Sequence, residues 1–194
     1  MMKLNYKITN ITAHPFENKH IKKIILEIIG RLKAKDLSQT IQICDPFSNN
    51  KTTRMQGTSL VTNDLNPKFN STYNLEANDF GELMEIHRQK FDLILFDPPY
   101  SLRQLKEQYE GIGMQLKQWQ TKNMWGRCKN ALAKCVYPGG YVISLGWNSS
   151  GFGRKRGFSI EEVHLFGQGG HEDRYDLIVT VEKKIQHTLD SFSL

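Results

Sequence analysis

The run Phe91–Phe96 constrains the fold of this chain more than any other segment. Five of its six residues are apolar, which is typical of a strand buried on both faces of a sheet. Asp97, Pro98, Pro99 and Tyr100 follow directly. The two prolines end the strand and stiffen the turn, because they lack backbone N–H donors and have a fixed φ. The run therefore predicts a buried strand that presents a carboxylate and an aromatic ring at its carboxyl end.

Strands and helices alternate along the rest of the chain, which predicts a mostly parallel α/β sheet. Helices are expected at 18–34, 79–89, 102–111 and 117–135, and further strands at 40–44, 58–62, 73–77, 141–145, 158–166 and 175–182. No helix separates the last two strands, so we expect them to form an antiparallel hairpin. Once the turn that ends the second strand at 63–64 is set aside, only residues 65–71 are available to cross to the third strand. A parallel crossover needs about a dozen residues, so the helices after the first two strands are shortened or these strands are arranged differently.

Acidic residues follow four of the predicted strands, at Asp45, Asp64, Asp79 and Asp97. Open α/β sheets bind ligands beyond the carboxyl ends of their strands. A carboxylate there can accept the two hydroxyls of a ribose or the amine of an adenine. One such acid is ordinary in a turn, but four at matching places predict a nucleoside ligand at this edge.

The four residues after the buried strand suit an exocyclic amino group. Because Pro98 and Pro99 lack N–H donors, the local carbonyl oxygens and the Asp97 carboxylate are left as acceptors. An NH2 group donates two hydrogen bonds, and Tyr100 can stack on the ring that carries it. An ordinary turn is the alternative interpretation of these four residues.

Length and composition indicate one globular domain, residues 1–194, in a reducing compartment. Cys44, Cys128 and Cys135 lack the spacing of a disulfide framework or a zinc site, so we expect no metal. The first ten residues lack the apolar core of a signal peptide, and the apolar stretch 21–29 is short and charged. We therefore expect a cytoplasmic protein, bacterial or phage-encoded, without a membrane partner.

Positive charge is concentrated in residues 101–156. This segment has ten basic and two acidic residues, an excess larger than the net charge of +6 of the whole chain, and it holds all three tryptophans. Cations bind phosphates and flat rings stack on unpaired bases, so the segment predicts nucleic-acid binding. The candidate contacts are Trp147, Arg154, Lys155 and Arg156, which we expect beside the carboxyl end of the strand Phe91–Phe96. A solvated basic face over core tryptophans is the alternative.

Several motifs resemble those of the S-adenosylmethionine-dependent amino-methyltransferases. Asp97 to Tyr100 resembles their catalytic [D/N/S]-P-P-[Y/F/W] loop. Residues 45–53 resemble their D-P-F-x-G-S-G-T-T motif and match it at Asp45, Pro46, Phe47, Thr52 and Thr53. Asn49 and Lys51 replace its two glycines. Asn tolerates positive φ better than most residues, so Asn49 is an acceptable substitute, whereas Lys51 is not.

Three further segments resemble cofactor motifs of the same enzymes. Residues 14–19 resemble the H-P-x-x-x-K element, which implies that Lys19 helps to hold the methionine end of S-adenosylmethionine. Residues 62–67 resemble the second motif, whose acid, here Asp64, holds the ribose. Asp79 and Phe80 match the third, in which an acid and an apolar residue contact adenine.

The resemblance covers residues 14–146, and residues 146–151 and 169–182 resemble small adenine methylases of phages and mobile elements. It implies a class I (Rossmann-like) methyltransferase fold with a seven-stranded, mostly parallel sheet and no separate target-recognition domain. It also implies methyl transfer to adenine N6, in DNA in preference to RNA. The target base must then be flipped out or single-stranded, with Tyr100 stacked on it.

Two alternatives stay open at this point. One is an RNA methyltransferase that acts on adenine N6 or guanine N2; N4-cytosine fits less well, since those enzymes usually carry Ser at the place of Asp97. The other is a catalytically inactive nucleic-acid-binding module, which the missing glycines at Asn49 and Lys51 favour.

Overall fold

The computed structural model of the protein describes residues 2–12, 14–34, 36–49, 52, 55–117, 121, 125–168 and 176–185. The strands are β1 (Lys3–Ile8), β2 (Ile41–Asp45), β3 (Thr58–Thr62), β4 (Phe91–Phe96), β5 (Val136–Gly146), β6 (Phe158–Gly167) and β7 (Leu177–Lys184). The helices are α1 (Lys19–Lys33), α2 (Ala77–Ile86), α3 (Leu102–Gly111) and α4 (Gly126–Lys134), with short 3-10 turns at Pro15–Glu17 and Arg154–Arg156.

The seven described strands form one sheet in the order β1-β6-β7-β5-β4-β2-β3. All neighbouring pairs are parallel except those of β7, which is antiparallel to both β5 and β6. The predicted Rossmann-like sheet with an antiparallel carboxyl-terminal hairpin is therefore confirmed. We call the side of the sheet where β2, β3, β4 and β5 end the carboxyl edge, and the opposite side the amino edge.

Strand β4 lies inside the sheet and is buried along its whole length, as the run Phe91–Phe96 predicted. Leu93 and Leu95 pack with α1 on one face, and Ile94 and Phe96 pack with α2 and α4 on the other. Both faces are covered, so every residue of the strand must be apolar or paired. Asp92 is paired: its carboxylate accepts a hydrogen bond from the Gln42 backbone N–H at 2.8 Å.

Helix α1 covers its face of the sheet with an isoleucine stripe at the predicted spacing. Five isoleucines of this helix are buried, and Ile21 and Ile28 are almost fully so: Ile21, Ile24, Ile25, Ile28 and Ile29. Burial of one such side chain stabilises the fold by about 1.5–3 kcal/mol relative to an exposed position. The Asn18 side chain caps the helix by accepting from the His20 N–H at 2.9 Å. The stripe therefore fixes where the first turn of α1 lies at the carboxyl edge.

The seven strands are not the seven that the sequence predicts. The expected strand at 73–77 is wrong: the chain makes one isolated parallel bridge, between Asn63 and Tyr73, and Ala77 begins α2. The seventh strand is instead β1, at the opposite end of the sheet beside β6. All six residues of β1 are exposed, so its sequence carries no burial pattern by which to recognise it.

The connections after β2 and β3 are short, as expected. No helix occurs among the described residues between β2 and β3 or between β3 and α2. The helix expected at 117–135 is shorter, since α4 begins at Gly126; residues 118–120 and 122–124 lie outside the described part of the chain. Within that described part, no helix is long and apolar enough to cross a membrane, and no three metal-ligating side chains cluster.

Candidate functional site

A cavity of about 860 Å³ opens at the carboxyl edge, beyond the ends of β2, β3, β4 and β5. The segment before α1 and one side of α3 complete its walls. Eight of the predicted site residues line it together: Pro46, Phe47, Asp64, Asp97, Pro98, Pro99, Tyr100 and Trp147. Its volume lies in the range of small-molecule sites, roughly 300–1,000 Å³.

The loop after β4 is held in place by helix α3 and by Trp125. The Tyr100 N–H donates to Gln104 Oε1 at 2.7 Å, and Ser101 caps α3 by accepting from the Gln104 N–H at 3.2 Å. Trp125 Nε1–H donates to the Pro99 carbonyl at 3.2 Å. The Pro98 carbonyl accepts from no residue that the structure describes. Of the two proline carbonyls, Pro98 is therefore the one that is left to a ligand.

The Asp97 carboxyl group accepts a hydrogen bond from the Tyr100 hydroxyl. Burial raises the pKa of Asp97 to about 6, and this hydrogen bond opposes the rise. Burial and the nearby Asp97 charge raise the pKa of the Tyr100 phenol, so Tyr100 remains a donor. At neutral pH the site therefore holds an ionised carboxylate acceptor one residue before the Pro98 carbonyl, which no described residue occupies.

Aromatic rings flank these acceptors. Phe47 meets Trp125 edge to face, with ring centroids 4.9 Å apart, and meets Phe96 in the same way at 5.2 Å. Tyr100 and Trp147 lie at the other side, with centroids 5.8 Å apart and planes inclined by 59°. Trp147 is 39% exposed and stands at the cavity rim. The cavity thus offers flat apolar walls on both sides of the Asp97 loop.

A buried carboxylate anchors the segment that carries Trp147. Glu182 of β7 is fully buried and accepts from the backbone N–H groups of Phe152 at 2.6 Å and Gly153 at 2.8 Å. The Phe152 ring packs edge to face on Phe96 at 5.1 Å. This segment crosses from the end of β5 to the start of β6, so the anchor ties the segment that carries Trp147 to β4 and β7.

Asp45 lies behind the cavity wall and not in it. Its side chain is fully buried and accepts from the Phe47 N–H at 2.9 Å and from the Thr52 hydroxyl. Burial raises the pKa of Asp45 to about 7, against those two hydrogen bonds. The expected direct contact of Asp45 with a cofactor is thus corrected: Asp45 shapes the turn whose Pro46 and Phe47 line the cavity.

Asp64 faces the cavity and is bound to the turn that replaces the glycine-rich motif. It accepts from the backbone N–H groups of Asn49 and Asn66, both at 2.8 Å. Asn49 has φ of 43°, so it adopts the positive φ for which we expected it to substitute for glycine. Burial raises the pKa of Asp64, and these two hydrogen bonds oppose the rise. Lys51 lies outside the described residues.

The acid that faces the cavity near α2 is Glu76, and the expectation for Asp79 and Phe80 is corrected. Asp79 is exposed and does not line the cavity, and Phe80 is fully buried in the core against Tyr73. Glu76 and Ala77 line the cavity instead. The chain forms no strand at 73–77, so the turn of α2 that meets the cavity lies three residues earlier than the motif suggested.

Lys19 also lies outside the cavity lining. The preceding His14, Pro15 and Phe16 line it, but Lys19 is exposed on the first turn of α1. The structure therefore places Lys19 beside the segment that lines the cavity and not in the lining itself.

The basic turn Arg154–Arg156 lies at the amino edge, opposite the loop 97–100. It precedes Phe158, which pairs with Lys184 at the end of β7, and Lys184 Nζ donates to the Arg156 carbonyl at 2.7 Å. The register places Phe158 five residues before the position on β6 that is level with Phe96, on the order of 15 Å of strand. The expected position beside the catalytic strand end is thus wrong, because the chain crosses the sheet between Trp147 and Phe158.

Much of the positive charge that the structure describes in residues 101–156 is already paired. Four of its cations pair with acids: Arg103 with Glu107, Lys106 with Glu110, Arg127 with Glu82, and Lys134 with Glu85. Lys129 donates to the Gly151 carbonyl at 2.7 Å and lies over the Phe96 ring. Charge counted along the chain therefore overstated the charge that this segment offers to a partner.

Known structures share this fold. No protein-family model and no curated protein sequence matches the chain. The N-methyltransferase NodS from Bradyrhizobium japonicum WM9, solved with S-adenosyl-L-homocysteine, matches with TM-score 0.53 and 12% identity over 89% of each chain. TrmN from Thermus thermophilus matches with TM-score 0.51 and 17% identity over 81% of this chain. A SAM-dependent methyltransferase from Agrobacterium tumefaciens matches with TM-score 0.52 and 10% identity over 84% of it.

This chain spans 48% of the TrmN chain and 62% of the Agrobacterium chain. At these identities the matches concern the backbone arrangement. The chain has the Rossmann-like fold of S-adenosylmethionine-dependent methyltransferases, with its cavity at the edge where such sheets bind ligands.

Proposed function

We propose that this protein transfers a methyl group from S-adenosylmethionine to the exocyclic N6 amine of adenine in DNA, as a DPPY-type methyltransferase. One observation carries the proposal: Asp97 and Pro98, whose carbonyl accepts from no described residue, line a cavity together with Asp64 and aromatic side chains. Two adjacent acceptors without an intervening N–H donor match the two protons of an NH2 group.

The cavity suits S-adenosylmethionine in its charge and shape. Its described lining contains carboxylates and no lysine or arginine, which favours a cationic sulfonium ligand. Asp64 would accept from ribose hydroxyls, with its remaining lone pairs, and Glu76 would accept from an adenine amine. The positive φ of Asn49 gives the turn the backbone shape that a glycine would otherwise supply. When bound, the cofactor supplies a methyl group on a positively charged sulfur.

The residues around Asp97 prepare the amine. The lone pair of adenine N6 is delocalised into the ring, which makes the nitrogen a poor nucleophile. Hydrogen bonds to Asp97 and to the Pro98 carbonyl favour a tetrahedral nitrogen, because both protons are then held out of the ring plane. N6 would form its new bond to the methyl carbon as the bond between that carbon and the sulfonium sulfur breaks, with neutral S-adenosylhomocysteine as the leaving group, and would lose one proton, which Asp97 can accept. Positioning supplies most of the rate, as in other reactions without a covalent intermediate.

The aromatic walls indicate how the base is held. An adenine inside a duplex cannot reach Asp97, so the base is flipped out or comes from a single strand. Tyr100 and Trp147 flank the entrance and can stack on it. Tyr100 already donates to Asp97, so it also keeps the carboxylate oriented toward the entering amine.

RNA is the second candidate substrate. The same two acceptors would hold an adenine or guanine amine of RNA equally well. The aromatic walls would contact the plane of the base and would not distinguish ribose from deoxyribose. A catalytically inactive binding module fits less well. The missing glycines were its main support, and Asn49 adopts the positive φ that a glycine would provide.

Cofactor titration with a matched mutant tests the proposal. Calorimetry should detect S-adenosylmethionine binding to the wild type, and Asp97→Ala should keep cofactor and DNA binding but lose methyl transfer. Asp79→Ala, which removes an exposed carboxylate outside the cavity, is the control and should retain activity. No cofactor binding at millimolar concentration would reject the enzyme, and full activity of Asp97→Ala would reject the assigned role.

A further inference from the structure

A second groove, of about 350 Å³, lies between the edge strand β1 and helix α1. Lys3 and Lys7 lie on the same face of β1, since side chains four residues apart in a strand point the same way. His20 and Lys23 of α1 form the facing wall. Lys19 is exposed one helical turn before Lys23. We call Lys3, Lys7 and Lys23, which line this groove, together with the adjoining Lys19, which does not, the lysine groove.

Three of these lysines lie close to the side chain of His20. The pKa of His20 is lowered, first by partial burial and then by the positive charges of Lys7, Lys19 and Lys23. Three lysines from two separate elements therefore act on the same imidazole. Lys3 and Lys7 are roughly 13 Å apart along β1, so the groove presents its charges as a row.

The acids in the groove leave it positive. Glu162 binds Arg31 at 2.5 Å and His164 at 3.0 Å, so its charge is already compensated. Glu27 forms a 3.8 Å ion pair with Lys23 on the surface, where such pairs contribute little. Lys3, Lys7 and Lys19 form no ion pair with any other described residue. The groove is thus a concave surface with uncompensated lysines.

The groove adjoins the cavity on the carboxyl edge. Lys7 is level with Phe166 on β6, and Phe166 is level with Leu177 on β7, which lines the cavity. Two strand spacings separate Lys7 from Leu177, about 10 Å. Glu17, two residues before Lys19, also lines the cavity. The groove meets the cavity on the side of β7 and the pre-α1 segment, away from Asp64 beyond β3.

We propose that the lysine groove binds the phosphate backbone of the nucleic-acid strand whose target base enters the cavity beside Trp147. The proposal rests on the proposed function for the identity of the base, but the binding surface can be tested without catalysis. The described cavity lining has no lysine or arginine, so a polyanionic strand must be held by charges outside it. The lysine groove supplies such charges at the same edge, whereas Arg154–Arg156 lies at the opposite one.

The test compares two double variants with the same change in charge. Lys7→Glu/Lys19→Glu alters the groove, and Arg154→Glu/Lys155→Glu alters exposed residues at the amino edge. Fluorescence anisotropy with labelled single-stranded and duplex DNA and RNA measures affinity at several salt concentrations. The groove variant should bind on the order of tenfold or more weakly, with the slope of log K against log salt reduced by about two. The amino-edge variant should change less than about twofold.

Controls separate this proposal from the proposed function. Both variants should keep the circular-dichroism spectrum and the S-adenosylmethionine affinity of the wild type. Equal weakening by the two variants, or a larger effect at the amino edge, would overturn the groove assignment. So would loss of binding to anionic phosphatidylserine vesicles with unchanged nucleic-acid affinity. A wild type that binds nucleic acid through the groove but transfers no methyl group would support the groove and reject the proposed reaction.

Discussion

Methyl transfer should decline steeply below pH 6, because Asp97 must be ionised to accept hydrogen bonds from the amine. Burial holds the pKa of this carboxyl at about 6, above its usual value of 3.8. The group is then almost fully ionised at pH 8 and about one-tenth ionised at pH 5. Values of kcat/KM, which report the free enzyme, should therefore fall about tenfold between these pH values, with an apparent pKa near 6.

Unfolding cannot account for such a decline. Asp97 and Asp45 bind protons more tightly in the folded protein than in the unfolded chain, since burial raises both pKa values, to about 6 and about 7. Their contribution to stability is therefore complete below their unfolded pKa and is lost as pH rises through 6 and 7. Circular dichroism at pH 5 should show a folded protein with low activity.

Asp97→Asn is the control for this prediction. Its amide keeps the size of the side chain and one acceptor oxygen but does not titrate, so residual activity should be independent of pH between 5 and 8. A wild-type rate that is flat over this range, or an Asp97→Asn rate with the same acidic decline, would refute the assignment of Asp97 as the titrating acceptor.

Two further changes test the cavity wall and the segment that carries Trp147. Glu76→Gln should weaken S-adenosylmethionine binding by about 1–3 kcal/mol in calorimetry, because a charged acceptor is lost. Asp79→Asn should leave the affinity unchanged. Equal effects of the two changes would contradict the assignment of the adenine contact to Glu76 instead of Asp79. Gly151→Ala should lower the free energy of unfolding by about 2–4 kcal/mol in urea titration. Gly151 has φ of 48°, and an added Cβ would lie 2.1 Å from Glu182 Oε2. Gly30→Ala, in an open position of α1, is its control and should be neutral or stabilising.

The central part of the fold could be predicted because it follows from burial. Phe91–Phe96 must be apolar to lie between two helical layers, and the isoleucines of α1 repeat at the helical period. Strand β1 could not be predicted in this way: its six side chains are exposed, and only pairing with β6 makes it a strand. The prediction of a strand around Tyr73 was wrong for the opposite reason. Its residues are typical of a strand, but they pack against Phe80 without forming a β-ladder.

The residues of the candidate site likewise divide into those that the sequence could predict and those that it could not. Pro98, Pro99 and Tyr100 were predictable because the chemistry lies within one short loop. Glu76 was not predictable, because the residue at which α2 begins decides which acid lines the cavity. The basic turn at Arg154–Arg156 was misplaced because sequence proximity to Trp147 does not reveal that the chain crosses the sheet. Trp125 gave no signal at all, since its bond to the Pro99 carbonyl joins residues 26 positions apart.

The most direct test is methyl transfer from labelled S-adenosylmethionine to separate pools of unmethylated duplex DNA, single-stranded DNA and RNA. Digestion to nucleosides and mass spectrometry then identify the methylated base. The account predicts labelled N6-methyladenine in DNA, and none with Asp97→Ala. Label in RNA alone would move the same site to RNA modification. No label in any pool, from a protein that still binds nucleic acid, would contradict the account.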